Sequence, residues 1–412
     1  MNRVAIVVQR CHESVVGGSE SLAWQYATLL KEIYHVDVLT TTAIDIRDWA
    51  NALPEGQETV EGVNIHRFRV TGERTAAWVR LLERLYRDYE AFDVGRAALS
   101  EDTRYLPWSL PLQEEFIRKQ GPYSEPLMQF LRSRWSDYKA IIFVTYLYPT
   151  TYFGLFQIPK YYGLIAPTLH DEPTAHLKAF KHAAQRARSI VWLTDAERRV
   201  GRHLWGNLPG RVIAMSVETG LRKPKELPSP YLLYCGRIDP NKGSRQLFEY
   251  FLEFKKAFPS DLRLLLTGKD DMPVPPHPDI EFLGFVSEEE KLSLMAGARV
   301  FVIPSANESF SIVTLEAMAQ RTPVLASSKS EVLVDHIKSS GAGRVYENFE
   351  SFAAALQEML SEDKRLEFGN LGREYALSRY RPEHVRESLK AAVESCVEVI
   401  TDQTSPIETA SM

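Results

Sequence analysis

The chain has 412 residues, 25% of them charged and 44% hydrophobic, a balance ordinary for a soluble globular protein of two or three domains. Its 49 Lys and Arg against 54 Asp and Glu leave a net charge of −5, which supplies no global drive toward nucleic acid. The 3 cysteines, Cys11, Cys235 and Cys396, are widely spaced, which argues against a disulfide framework or a Cys-rich zinc site and fits a reducing cytosol.

The apolar residues 4–8 are too few for a secretory core, which needs roughly 7–15. No run of roughly 20 apolar residues suits a membrane span. Residues 3–8 read as a buried strand, followed by a loop and by helical spacing over 19–32 (Leu22, Tyr26, Leu29, Leu30). Further strands are predicted at 36–40, 141–145, 161–167 and 189–194. Near-continuous apolar strands alternating with helices predict an α/β fold with a parallel sheet covered on both faces. Pro209, Gly210, Gly220, Pro224, Pro228 and Pro230 break the rhythm as a linker would. A second α/β domain then begins, with strands at 231–235, 262–267, 280–285, 300–303 and 323–326, and helices at 244–258, 287–296 and 312–320.

The expected organisation is an N-terminal Rossmann-like domain over 1–215, a linker over 216–230, a C-terminal Rossmann-like domain over 231–380, a helix over 381–400 and a fraying tail over 401–412. Residues 71–135 interrupt the first domain. Trp78, Leu81, Leu82, Leu85 and Tyr89 form one helical stripe there, and 10 basic residues balance 10 acidic ones. A helical insertion packed on the first domain is the plainer reading. A flap over a second substrate, or a shallow membrane contact, is the alternative, and local neutrality speaks against the membrane.

Four strand-to-helix turns could carry chemistry. Gly17 and Gly18 open the first helix, where free N–H groups and the helix dipole suit a phosphate. A simple tight turn capped by Ser19 would look the same. His170, Asp171 and Glu172 follow a strand at the edge where parallel sheets bind ligands. No further His or Cys stands at ligand spacing, so no metal is expected. Arg237 and Lys242 flank a strand-to-helix loop ending at Gly243 and could grip a diphosphate, or be ordinary solvated charges. Glu308 and Glu316 bracket a helix start that includes Phe310, Ser311, Ile312 and Val313, where carboxylates could take sugar hydroxyls and backbone N–H groups a phosphate.

Together these turns resemble those of the retaining GT-B glycosyltransferases of the GT4 type. The resemblance covers almost the whole chain and is strongest over 231–337. Its most specific part is an E-x7-E element, Glu308 through Glu316, beside Arg237 and Lys242-Gly243 as the family's G-R…K-G turn, Gly17-Gly18 as its glycine loop and His170-Asp171 as its His loop. It implies two Rossmann-like domains facing across a cleft, crossed near 212–219, with a final helix returning to the first domain. It implies a nucleotide-diphosphate sugar as donor and no cofactor. Arg237 and Lys242 would bind the diphosphate, Glu316 the ribose and Glu308 the transferred sugar. Backbone N–H groups of Phe310, Ser311, Ile312, Val313, Gly17 and Gly18 would add phosphate contacts. Phe285 would lie near the base and His170 would face the reacting sugar, with Thr194 a weaker candidate. The chain contains no Asp-x-Asp triplet, consistent with cations in place of a metal.

The expected activity is hexose transfer with retention, from a UDP-sugar such as UDP-glucose in preference to GDP-mannose. The expected acceptor is a glycan or lipid-linked oligosaccharide in cell-surface polysaccharide synthesis. The setting would be cytoplasmic, with peripheral contact at the inner face of the membrane as an extension. The basic residues Lys178, Lys181, His182, Arg186 and Arg188 could make that contact, though a solvated helix face is the plainer reading. A nucleotide-sugar epimerase, a glucan synthase and a non-catalytic relative are the alternatives. One departure stands out. Ser309 and Ser311 occupy positions where the family often has glycine, which allows closer backbone approach.

Overall fold

A computed structural model describes residues 2–15, 17–72, 74–95 and 104–403, with side chains left aside at 93–95 and 397–403. The described chain forms two compact units, Met1–Met215 with Val385–Met412, and Ser216–His384.

In the first unit the strands are β1 (Arg3–Val7), β2 (His35–Thr41), β3 (Gly56–Val60), β4 (Val63–Phe68), β5 (Ala140–Val144), β6 (Gly163–Ala166), β7 (Ser189–Trp192) and β8 (Gly210–Val212). Their order is β3-β4-β2-β1-β5-β6-β7-β8, parallel except for the β3–β4 hairpin. The central strands bury both faces, as the unbroken apolar runs of β1 and β5 require. The helices are α1 (Gly18–Leu30), α2 (Ala76–Gly95), α3 (Leu110–Gln120), α4 (Glu125–Arg134), α5 (Pro149–Leu155), α6 (Lys178–Arg186) and α7 (Asp195–Trp205).

The stretch 71–135 supplies α2, α3 and α4, with 73 and 96–103 outside the described residues. On α2, Leu85 is fully buried and Trp78, Leu81, Leu82 and Tyr89 pack against the main core beside Trp108 and Phe116. The apolar stripe therefore faces protein.

In the second unit the strands are β9 (Tyr231–Cys235), β10 (Arg263–Thr267), β11 (Ile280–Phe282), β12 (Val300–Ile303), β13 (Val324–Ser327) and β14 (Gly343–Tyr346). They form an all-parallel sheet in the order β11-β10-β9-β12-β13-β14. The helices are α8 (Ser244–Ala257), α9 (Glu288–Gly297), α10 (Ile312–Ala319), α11 (Glu331–Ser340), α12 (Phe349–Met359), α13 (Glu362–Arg379) and α14 (Pro382–Gln403).

Two boundaries differ in detail from the sequence reading. The segment 216–230 is bonded along the second unit: Gln320 receives Arg222 N–H on its side-chain oxygen and donates to the Gly220 carbonyl, and Lys225 N–H donates to the Ser293 carbonyl. From Val385 on, α14 belongs to the first unit, where the Tyr34 hydroxyl donates to Glu394 over 2.6 Å. Residues 404–412 of the expected tail lie outside the described residues. Among the described residues no helix is long and apolar enough to cross a membrane.

Candidate active site

In each sheet the chain reverses its winding beside the first strand of the unit, β1 against β5 and β9 against β12. Crevices form at the carboxyl ends of strands at such switch points. The loops after β9 and β12 are those that carry Arg237, Lys242 and Glu308.

Lys242 Nζ lies 2.8 Å from Glu308 Oε1 and 3.4 Å from the Asn307 carbonyl. One loop thus reaches across to the other. Gly243 makes this approach feasible on two counts. Its φ is +77°, and a Cβ there would fall 2.5 Å from the Pro304 carbonyl oxygen. Asp239 shapes the same loop by accepting the Asn241 N–H at 2.7 Å. Arg237 is more exposed and stands 3.6 Å from Asp239. Its guanidinium, with a side chain 57% exposed, is accessible to a ligand.

The loop after β12 turns into α10 through Ser311, which adopts φ +60° and ψ +62°. This is the left-handed region, costly for any residue with a Cβ. The Ser311 hydroxyl is 2.9 Å from that of Thr314, a buried contact that compensates in part. The serine therefore takes the conformation that a glycine would take freely. Beyond it, the first-turn N–H groups of α10 at Ile312 and Val313 have no partner within the helix by geometry.

Phe310 is buried, and its ring packs edge-on against Tyr380 and His336. Its carbonyl accepts from His336 Nε2 at 2.9 Å, and His336 Nδ1 meets the Tyr375 hydroxyl at 3.1 Å. Burial holds the His336 imidazole below its ordinary value, so it stays neutral. At Phe310 only the backbone can face a ligand, while its side chain and His336 brace the loop.

Glu316 lies in α10, nearly buried, with Oε2 2.9 Å from Lys291 Nζ of α9. Burial raises its carboxyl above the ordinary range while Lys291 draws it back. Phe285 lies after β11 and is 69% exposed. A large apolar ring left this open is available to a flat ligand.

In the first unit Gly17 precedes α1 in extended conformation and Gly18 is its first residue. The space beside Gly17 is filled by Glu20, whose Oε2 would lie 2.2 Å from a Cβ there. Glu20 accepts from Arg10 Nε at 2.5 Å and from Gln9 Nε2 at 2.9 Å. Of the two glycines, Gly18 is the one with open space beside it. Ser19 is not the helix cap; Gly17 takes that position.

His170 stands in the loop after β6. Two β-branched residues beside it are left-handed, Thr145 with φ +60° and Thr168 with φ +52°, and Thr168 donates to the Thr145 hydroxyl over 3.0 Å. Such outliers persist only where the surroundings enforce them. Glu197 ties down the backbone next to Thr168: the Leu169 N–H donates to its Oε1 at 2.7 Å, and the Leu193 N–H to its Oε2. Asp171 Oδ1 lies 2.7 Å from His176 Nε2, in the short turn that follows the His170 loop. Thr194 caps α7 by accepting the Glu197 N–H at 3.0 Å, a structural role.

Glu197, Lys291 and His336 escaped the sequence reading. Thr194 with Glu197 three residues on is a capping-box spacing that could have flagged the first. Nothing local marks the other two.

Residues 229–362 match the family model described as Glycosyl transferases group 1. The matched segment contains Arg237, Lys242, Phe285, Glu308 and Glu316. D-inositol 3-phosphate glycosyltransferase of Kineococcus radiotolerans is 28% identical over 236 residues, 47% of this chain and 54% of that protein. O-antigen chain mannosyltransferase B of Escherichia coli is 29% identical over 238 residues, 51% of this chain and 60% of that protein. The chain thus spans little more than half the length of these relatives. Sucrose-phosphate synthase from Thermosynechococcus elongatus superposes with a TM-score of 0.68 at 18% identity, covering 97% of this chain and 100% of that one. That likeness is one of fold. The chain has the GT-B architecture of two parallel-sheet domains that the resemblance implied.

Proposed function

We propose that the chain is a retaining hexosyltransferase that uses a nucleotide-diphosphate sugar as donor. The observation that carries this is the Lys242–Glu308 pair at 2.8 Å, set at the β9/β12 switch point beside the start of α10, within the segment that matches the glycosyl transferases group 1 model. Arg237, Lys242 and the N–H groups opening α10 hold the diphosphate. Glu316 accepts the ribose hydroxyls, Glu308 those of the transferred hexose, and Phe285 lies near the base. His170 and the backbone at Gly18 are assigned to the same reaction.

In the reaction the bond from the anomeric carbon to the leaving phosphate oxygen breaks, and the carbon passes through an oxocarbenium-like state. Charge gathers on the departing diphosphate, where preorganised cations and helix N–H groups stabilise it. The acceptor hydroxyl attacks from the same face, and its proton passes to the leaving phosphate oxygen. Neither Glu308 nor Glu316 is assigned as a covalent nucleophile; a trapped glycosyl-enzyme adduct would overturn this step. Arg237 and Lys242 supply the positive charge, so no metal or other cofactor is assigned.

A UDP-sugar such as UDP-glucose is the proposed donor and a glycan or lipid-linked sugar the acceptor, in cell-surface polysaccharide synthesis. The mannosyltransferase among the relatives makes GDP-mannose the natural competitor. The test is nucleotide release from UDP-glucose and GDP-mannose, with and without candidate acceptors. Acceptor-dependent release of one nucleotide, with the product's anomeric configuration retained by NMR, is expected. Donor turnover to an isomer without any acceptor would replace this reading with an epimerase.

A further inference from the structure

Lys291 is the only cation on α9, a helix that opens with Glu288, Glu289 and Glu290. Its side chain is 15% exposed, unusually low for a lysine. Nζ reaches Glu316 Oε2 at 2.9 Å and Glu288 Oε2 at 2.7 Å. Glu288 lies open to solvent while Glu316 is nearly buried. A charge drawn inward in this way is retained only where a partner compensates for lost hydration. The partner that requires it is Glu316, because Glu288 has water.

We infer that Lys291 is a positioning residue of the donor site, anchoring Glu316 through Oε2 so that Oε1 is left to accept hydroxyl groups of the bound nucleotide. The inference rests on the reading of Glu316 as the acceptor of ribose hydroxyls. It assigns Lys291 no contact with the ligand. Two other titratable groups face the pair. Glu288 shares the ammonium from α9. Cys235, at the end of β9, is held neutral because burial pushes its thiol up to about 12. Burial pulls the Lys291 ammonium down, but Glu316 and Glu288 more than restore it, so it stays charged. Without it, burial and the Glu288 charge act on Glu316 unopposed and raise its carboxyl further. A protonated Glu316 would present a poorer acceptor, so affinity lost at low pH would return as pH rises.

The test is isothermal titration of UDP and of GDP into wild type, Lys291→Met, Glu316→Gln and the double variant, from pH 6 to 9. Lys291→Met is expected to weaken nucleotide binding about tenfold at neutral pH, the scale of one charge-assisted contact, and to recover toward pH 9. Lys291→Arg should keep near-wild-type affinity and provides a folded comparison. In the Glu316→Gln background, Lys291→Met should add nothing, since a residue acting through another loses its effect when that other is gone. An equal loss in both backgrounds, with no pH dependence, would overturn the inference. So would unchanged affinity in Lys291→Met where Glu316→Gln weakens binding. If Glu316→Gln itself leaves nucleotide affinity intact, the reading of the site fails and the inference with it.

Discussion

Lys242 Nζ and Glu308 Oε1 stand 2.8 Å apart, so the cation assigned to the diphosphate and the carboxylate assigned to the transferred sugar are paired with each other in the free protein. Under the proposed assignment, donor binding would loosen this contact, each group exchanging one charged partner for the ligand. The pair keeps each side chain aimed at the carboxyl edge of the sheet before substrate arrives.

Replacing Lys242 with alanine removes one of two cations and leaves Glu308, 12% exposed, without its partner. Turnover is expected to fall about 10²-fold, the scale of one lost transition-state contact. Stability should fall by about 1–2 kcal/mol, as for a broken charge-assisted hydrogen bond. Steady-state kinetics and denaturant unfolding read the two effects separately. Unchanged turnover would remove Lys242 from the diphosphate site.

Ser311 offers a test of local strain. Ser311→Ala keeps the left-handed backbone and loses the 2.9 Å contact with Thr314, so a loss of about 1 kcal/mol is expected. Ser311→Gly loses the same contact but relieves roughly 1 kcal/mol of left-handed strain. Glycine should therefore be the more stable of the two variants in urea unfolding. Alanine as the more stable would contradict the strain assigned here.

Glu197 holds the turn that carries His170. Burial pushes its carboxyl up to about 8, although backbone N–H groups at Leu169, Leu193, Thr194 and Thr168 oppose the rise. A raised folded value favours the protonated form. Its contribution is therefore fully present below the unfolded carboxylate range and is lost as pH climbs through about 8. Glu197→Gln, neutral at every pH, should flatten the fall in melting temperature between pH 5 and 9. Glu197→Ala should lower turnover more than nucleotide affinity, because the second unit is untouched. Equal losses in both would reduce Glu197 to a structural brace.

Asp37, on β2, sets the acid limit. Burial alone would raise its carboxyl, but hydrogen bonds with His66, Tyr138 and Asn64 and the charge of Arg3 outweigh it and bring it to about 2. A depressed value gives stability above the unfolded range that is lost as pH falls from about 4 toward 2. The contribution is on the order of 2 kcal/mol. Asp37→Asn should lower stability at pH 7 and shrink the difference between pH 7 and 3. An unchanged acid dependence would contradict this.

Much of the fold was legible because central strands such as β1, β5, β9 and β12 are buried on both faces and leave unbroken apolar runs. The candidate loops could be placed because each follows such a strand. Edge elements were not legible. β3 is exposed throughout its length, and β8 is three exposed residues inside what reads as a linker, so neither carries an apolar signature. The donor loops were visible as motifs, but their supports were not. Lys291 meets Glu316 across 25 positions of sequence and His336 meets Phe310 across 26, pairings that only the fold creates. Ser311 was visible as a departure from glycine, and its left-handed backbone is one that a glycine takes freely.

The most direct measurement of the central claim is a thermal-shift panel of UDP, GDP and their sugars on the whole chain. A ligand that binds only the folded protein must raise its melting temperature, by an amount that grows with concentration over Kd. One nucleotide class should raise the midpoint in wild type and do so weakly in Glu316→Gln. No shift with any nucleotide or nucleotide sugar at millimolar concentration would contradict the assignment of Arg237, Lys242, Glu308 and Glu316 to a nucleotide-sugar site.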